Sequence, residues 1–269
     1  MENNNKKIKV AILIPMTSKN QKWKEIGEID FINVFLPSFL RTREEQKFEY
    51  KFFLGVDSDD KFFVNQIEIL KNRLRQQDRI YIKNFSGNPC GYWNFLLQQA
   101  YNEGFEYFQQ FGDDIEIISK NWTSFYVNTL KKNGDFGVIG GCDFNFWVER
   151  LSNNEIGIVE NCMISRKHYE MLRTFFHPNF KTWFSDDWIS QIYHNICFTV
   201  PEIKFINKNR VGDHNPRSRY KYNMEDKKLL NSSVFESQEK IYKYIIKNKL
   251  ITSINKDYFN YLHKKFKKN

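Results

Sequence analysis

The sequence is short of cysteine and of long apolar runs, and each shortage excludes a class of protein. Its 269 residues include four cysteines, none of them at C-x-x-C spacing, which argues against a disulfide scaffold and a cysteine zinc site. No stretch approaches the roughly 18 apolar residues of a transmembrane helix, and the N-terminus lacks the apolar segment of a secretion signal. We therefore expect a soluble, cytoplasmic protein.

Several motifs of well-known enzyme classes are also missing. There is no G-x-x-x-x-G-K-[ST] segment, which excludes a P-loop NTPase. No G-x-G-x-x-G follows the first predicted strand, so a dinucleotide cofactor is not expected. Neither G-x-S-x-G nor H-E-x-x-H occurs, which argues against an α/β-hydrolase and a zinc protease of that type.

The positive charge is concentrated at one end of the chain. Residues 203–269 hold 17 lysines and arginines against six acids, whereas residues 1–202 hold 24 against 26. A basic extension can steer an anionic partner or lie on an anionic membrane surface, and it can equally be a solvated tail. We expect its predicted helix to pack on the main body, rather than on a membrane, through an apolar face formed by Tyr242, Ile245, Ile246 and Leu250.

Strands and helices alternate along the first half of the chain. Short apolar runs predict strands, and apolar residues at helical spacing lie between them; the runs are 8–15, 50–56, 79–83, 105–111 and 137–141. This alternation predicts an α/β fold with a mainly parallel central sheet and helices on both faces.

The pattern loosens after residue 141. Two more strands are predicted at 156–164 and 198–206, helices at 166–175 and 186–196, and tail helices at 235–250 and 258–267. We assign residues 1–215 to one domain and residues 216–269 to a basic, helical C-terminal extension.

Acidic residues follow two of the predicted parallel strands. Asp57 opens the sequence Asp-Ser-Asp-Asp, and Asp113 and Asp114 follow Gly112, with Glu116 two residues later. Because parallel strands end at the same edge of a sheet, both groups should face one crevice, where ligands of open α/β sheets bind. Carboxylates there suit Mg²⁺ or Mn²⁺ with substrate phosphates. Helix capping and an ordinary turn are the alternatives.

Two later segments carry further candidate residues. Asp186 and Asp187 begin a predicted helix among aromatic residues, where burial and like charge can raise a carboxyl pKa and produce a general base. A helix cap would explain the same residues. His214 lies in a polar loop and could be a metal ligand, and Arg217 and Arg219 could clamp a diphosphate.

In this order and spacing, the four segments resemble the GT-A fold glycosyltransferases, which are nucleotide-diphospho-sugar transferases, and most closely their inverting, family-2-like members. The resemblance covers residues 8–215. Residues 10–15 are similar to the family's V-x-I-P opening, and residues 91–94 to its G-x-x-x-A-R-N segment, with Trp93 in the place of the arginine. Gly112 stands where the D-x-D motif has its first acid.

The resemblance implies a Rossmann-like GT-A fold and a metal-dependent glycosyltransferase that transfers a sugar with inversion. Asp187, with Asp186 beside it, would be the catalytic base, and Asp114 and His214 would hold Mn²⁺ or Mg²⁺. The residues that it implies for the nucleotide sugar are Pro15, Thr17, Asp57, Asn94, Asp113, Trp183, Arg217 and Arg219.

The expected partners follow from that activity. The donor would be a nucleotide-diphosphate sugar, with a UDP-sugar favoured, and the acceptor a glycan, a lipid-linked molecule or a protein; nucleic acid is not expected. One alternative is a nucleotidyltransferase on a related fold, although residues 16–20 lack the glycine-rich loop of that class. Another is a non-catalytic basic module that binds nucleic acid or glycan.

Overall fold

A mixed sheet of eight strands runs through the part of the chain that the structure describes. This computed structural model describes residues 6–143, 157–208 and 224–267. The strands lie in the order β3-β2-β1-β4-β7-β6-β8-β5. Their bounds are Ile8–Met16 (β1), Phe48–Asp57 (β2), Arg79–Lys83 (β3), Tyr107–Gln110 (β4), Ile115–Ile117 (β5), Val138–Asp143 (β6), Cys162–Ser165 (β7) and Cys197–Asn207 (β8).

Six of these strands point the same way. β1 pairs in parallel with β2 and β4, β2 pairs in parallel with β3, and β6 pairs in parallel with β8. β7 is antiparallel to both β4 and β6, so β6 runs in the direction of β4. β5 is antiparallel to β8. The carboxyl ends of the six strands therefore share one edge of the sheet, which we call the carboxyl edge.

The helices lie between the strands and after them. Their bounds are Leu36–Thr42 (α1), Lys61–Asn65 (α2), Ile67–Lys71 (α3), Pro89–Asn102 (α4), Trp122–Lys132 (α5), Arg166–Leu172 (α6), Ser185–Tyr193 (α7), Met224–Lys247 (α8) and Lys256–Phe266 (α9). A π-helical segment, Phe31–Phe35, leads into α1. None of the helices within the described ranges is long and apolar enough to cross a membrane.

Side chains of β1 show how the sheet separates two apolar cores. Successive residues of a strand point to opposite faces, and Ala11 and Leu13 belong to one core while Val10, Ile12 and Ile14 belong to the other. All five are fully buried, so β1 is covered on both faces, as the unbroken apolar run 8–15 predicts. Helices on both faces confirm the α/β fold class.

The C-terminal helices α8 and α9 pack against α7 and share its core. Ile241 and Tyr258 are fully buried there. The indole N–H of Trp188 in α7 donates to the carbonyl of Ser233 at 3.3 Å, and the Tyr258 hydroxyl donates to the carbonyl of Ile192 at 2.6 Å. The extension is thus bound to the main body by buried contacts, as predicted.

The apolar face predicted for the extension is only partly correct. Ile245 is buried, whereas Ile246 is 43% exposed, and α8 begins well before residue 235. Membrane contact of the extension and the division at residue 215 stay predictions.

Candidate functional site

Four aspartates lie at the carboxyl edge of the sheet. Asp57 ends β2, Asp143 ends β6, and Asp113 and Asp114 follow β4; all four are at least nine-tenths buried. Burying a carboxylate is costly unless hydrogen bonds or cations compensate. Acids therefore concentrate where the sequence predicts a ligand crevice.

The Asp57 carboxylate holds the loop that follows β3. One of its oxygens accepts the backbone N–H of Phe85 at 2.8 Å, and the other accepts that of Gly87 at 2.9 Å. Gly87 has a φ of +70°, a conformation that side chains disfavour. Asp57 therefore shapes the crevice wall, and its contact with a nucleoside stays a prediction.

Asp60 joins the loops that follow β1 and β2. Its carboxylate accepts the backbone N–H and the hydroxyl of Ser18, each at 2.7 Å, and the hydroxyl of Thr17 at 3.3 Å. It also caps α2 through the backbone N–H of Phe63. Thr17, a predicted nucleotide-sugar residue, is thus fixed at the carboxyl edge. Pro15, another, lies in β1 opposite Gly55.

Asp113 and Asp114 lie close to the point where β8 ends. The backbone N–H of Lys208 donates to the carbonyl of Asp114 at 3.1 Å. A Cβ atom at Gly112 would lie 2.8 Å from a carboxylate oxygen of Asp114, so a larger residue there would displace that carboxylate. Glycine in place of the first acid of the D-x-D motif therefore fits the local packing.

Glu116 does not join the acid pair. It belongs to β5, and its carboxylate forms ion pairs with Lys208 at 2.6 Å and with Arg41 at 3.5 Å. Side-chain alternation along a strand and these two cations explain its position. Among the described residues, no group of three or more His, Cys, Asp or Glu side chains could hold a metal ion.

Asp186 and Asp187 lie in the first turn of α7 and are half-buried. β8 follows α7 and begins at the opposite edge, so the start of α7 is directed towards the carboxyl edge. Burial raises the pKa of the Cys162 thiol, and the nearby Asp186 carboxylate raises it further. Cys162 begins β7 and donates its backbone N–H to the Gln110 side chain of β4 at 3.2 Å. The Ser190 hydroxyl donates to the Asp186 carbonyl at 2.6 Å and accepts the backbone N–H of Val159 at 3.0 Å, so the start of α7 packs on the segment that leads into β7.

An aromatic loop, residues 173–184, connects α6 with α7. Trp183 is 38% exposed near its end, and Phe184 has a φ of +63°. The Cys90 N–H donates to the Lys181 carbonyl at 3.1 Å, which ties the loop to the start of α4. Trp183 thus lies two residues after Lys181, which is held by this hydrogen bond. The stacking of Trp183 on a sugar stays a prediction.

Asn94 contacts the same loop. Its side-chain oxygen accepts the backbone N–H groups of Phe175 at 2.9 Å and Phe176 at 2.8 Å, and its side-chain nitrogen donates to the Phe176 carbonyl at 3.0 Å. The predicted contact of Asn94 with a nucleotide sugar is untested, and the amide is already used on the protein backbone.

Of the twelve predicted site residues, the structure places five at or next to the carboxyl edge: Pro15, Thr17, Asp57, Asp113 and Asp114. His214, Arg217 and Arg219 lie outside the described residues. The sequence did not predict that Asp60 links two loops, and Asp143 was not predicted as a site residue. The signal for Asp143 was present, because it follows the predicted strand 137–141 by two residues, as Asp113 follows the predicted strand 105–111.

A sheet with six co-directional strands, helices on both faces and aspartates at its carboxyl edge is the arrangement expected of a GT-A fold. The sequence matches no protein-family model and no curated protein. The likeness to solved structures confirms the fold.

Two such structures are of S. aureus TarS, residues 1–349. The one in complex with UDP-GlcNAc is 14% identical with a TM-score of 0.54, over 96% of this chain and 73% of that one. The one in complex with UDP is 11% identical with a TM-score of 0.52, over 86% of this chain and 65% of that one. This chain thus spans about two thirds of the length of the TarS chains that it resembles.

Proposed function

We propose that this protein is a glycosyltransferase that uses a UDP-sugar as donor. The observation that carries the proposal is the set of four buried aspartates at the carboxyl edge. In open α/β sheets this edge binds ligands. TarS, which shares the fold, has been crystallised with UDP and with UDP-GlcNAc.

The donor would lie across the ends of β1, β2 and β4. The loops after β1 and β2 are fixed to each other through Asp60, and the loop after β3 through Asp57. Loops that are fixed in this way bind a nucleoside at a lower ordering cost. Thr17 and Asp57 are therefore the residues that we assign to the nucleoside.

The residues at the end of β4 fit a divalent cation. Asp113 and Asp114 supply two carboxylates, fewer than a closed protein cage needs. Mg²⁺ is characteristically held by one or two carboxylates together with substrate phosphates. Asp114 would hold Mg²⁺ or Mn²⁺, which would neutralise charge on the donor diphosphate. His214, which lies outside the described residues, would be a further ligand, as the resemblance implies.

In the transfer step, Asp187 would remove the proton from the acceptor hydroxyl. The acceptor oxygen would form a bond to the anomeric carbon, while the bond from that carbon to the diphosphate oxygen breaks. The nucleoside diphosphate would leave with the electron pair, and Arg217 and Arg219 would stabilise its charge. A single displacement of this kind inverts the anomeric configuration. The acceptor would be the hydroxyl of a glycan, a lipid-linked molecule or a protein.

A thermal-shift screen of nucleotide sugars, with and without Mn²⁺, tests donor and metal together. A ligand at 100 times its Kd stabilises the folded state by about 2.7 kcal/mol, which should raise the Tm by roughly 5 to 10 °C for a chain of this size. We expect UDP-sugars to give this shift with Mn²⁺, and Asp114→Asn to lose the part that depends on Mn²⁺. No shift with any nucleotide sugar would contradict the proposal.

The catalytic base is tested by Asp187→Asn, which keeps the shape of the side chain. Loss of a general base lowers kcat by about 10²- to 10⁴-fold, and we expect UDP binding to be unchanged. Full transfer activity by a folded Asp187→Asn variant would refute this role.

A further inference from the structure

The side-chain amide of Asn94 forms three hydrogen bonds with the backbone of two consecutive residues. Its oxygen accepts two N–H groups, those of Phe175 and Phe176, and its nitrogen donates to the carbonyl of Phe176. The two donors determine which atom of the amide is the oxygen. These partners lie more than 80 residues away in the sequence, so Asn94 joins α4 to the aromatic loop.

The first two turns of α4 hold that loop at two points. Asn94 holds its beginning, and the Cys90 N–H holds the Lys181 carbonyl at 3.1 Å. Trp93 packs edge-on against Phe176, with ring centroids 5.5 Å apart. Only residues 182–184 lie between Lys181 and α7, the helix that carries Asp186 and Asp187.

The same turns of α4 are fixed to the carboxyl edge. The Tyr92 hydroxyl lies within hydrogen-bond distance of the carbonyls of Val56 and Lys83, either of which can accept its one proton, and it accepts the backbone N–H of Lys83 at 3.0 Å. Asn88 caps the helix by accepting the N–H of Gly91 at 2.8 Å. α4 is therefore a rigid link between the ends of β2 and β3 and the loop that leads to the acids.

We infer that Asn94 is a positioning residue, which fixes the aromatic loop so that Asp186 and Asp187 face the carboxyl edge, and that it is not a ligand of the nucleotide. The part of this inference that concerns turnover rests on the proposed function. Because misplacing a reacting group by about 1 Å can cost 100-fold in rate, loss of the three hydrogen bonds should lower turnover and leave nucleotide affinity intact.

The test compares Asn94→Leu and Asn94→Asp with Gln98→Leu in the full chain. The aspartate keeps acceptors for the two N–H groups, but it loses the donor to Phe176 and places a carboxylate oxygen against that carbonyl. Gln98 is an exposed amide one turn later in α4, so its replacement controls for a changed helix surface. Turnover of a UDP-sugar, the Kd of UDP and hydrogen exchange of residues 173–184 are measured for each variant.

For Asn94→Leu we expect kcat to fall by about 10- to 100-fold, the Kd of UDP to stay within about twofold, and exchange of the Phe175 and Phe176 amides to accelerate. Asn94→Asp should lie between Asn94→Leu and the wild type, and Gln98→Leu should match the wild type. A rise of tenfold or more in the Kd of UDP, with unchanged loop exchange, would overturn the inference. If the wild type turns over no UDP-sugar, the proposed function fails by itself, and unchanged loop exchange in Asn94→Leu would separately overturn the anchoring role.

Discussion

Replacing Asp57 by asparagine tests the acid of the carboxyl edge that holds the loop after β3. The change keeps the shape of the side chain and converts one acceptor oxygen into an NH₂ group. That group would face the N–H of Phe85 or of Gly87, which Asp57 now accepts at 2.8 and 2.9 Å. Two donors cannot bond to each other, so one backbone N–H loses its partner in a partly buried position.

The magnitude follows from the bonds that are lost. A hydrogen bond to a charged group contributes about 1.5–3 kcal/mol, and an unsatisfied buried donor adds to the loss. We therefore expect Asp57→Asn to lower the free energy of unfolding by about 2–4 kcal/mol, a large part of the roughly 5–15 kcal/mol that stabilises a typical protein.

Urea denaturation of the wild type, Asp57→Asn and Asp59→Asn measures this loss. Asp59 is exposed and two residues away, so its replacement removes the same charge without a buried bond and should cost less than about 0.5 kcal/mol. Equal losses for the two variants would refute the anchoring role of Asp57. UDP binding by Asp57→Asn should also weaken, because the loop at residues 85–87 forms part of the crevice wall.

Two further predictions concern stability. Burial lowers the pKa of His168 to about 4. As the pH falls, the unfolded chain therefore protonates His168 near pH 6.5, whereas the folded protein does so only near pH 4. The free energy of unfolding should fall between these two pH values by roughly 3 kcal/mol in total. Urea titrations across this range should show a smaller loss for His168→Gln, and an identical pH dependence would contradict it. Gly134 has a φ of +64°, and a Cβ atom there would lie 1.9 Å from the Ser253 carbonyl oxygen, so Gly134→Ala should destabilise the fold and accelerate exchange at 250–254. Gly104→Ala, with a φ of +82° and open space around it, controls for backbone strain, and an equal effect of both changes would contradict contact with the extension.

The parts of the fold that sequence predicts well are those with a strong local pattern. The apolar run 8–15 matches β1 to within one residue, and residues 79–83 match β3. Alternation of strands and helices was enough to predict the sheet and its acidic edge. β5 was missed because three residues directly after an acid pair offer too little periodicity to recognise.

The parts that sequence could not supply depend on contacts between distant residues. Asp60 looks like one more turn acid, and its bonds to Thr17 and Ser18 connect residues more than 40 positions apart. Asn94 resembles a ligand residue by its place in a motif, whereas its observed partners belong to a loop 82 residues away. Local pattern shows that such residues are polar and cannot show which backbone they bind.

The account is tested most directly by UDP release from a set of UDP-sugars, measured with Mn²⁺ for the full chain and for Asp187→Asn. We predict release by the wild type from at least one UDP-sugar, and a rate lower by about 100-fold or more in the variant. Absence of release from every UDP-sugar, together with absence of a thermal shift by UDP, would contradict the proposal that this GT-A fold acts as a glycosyltransferase.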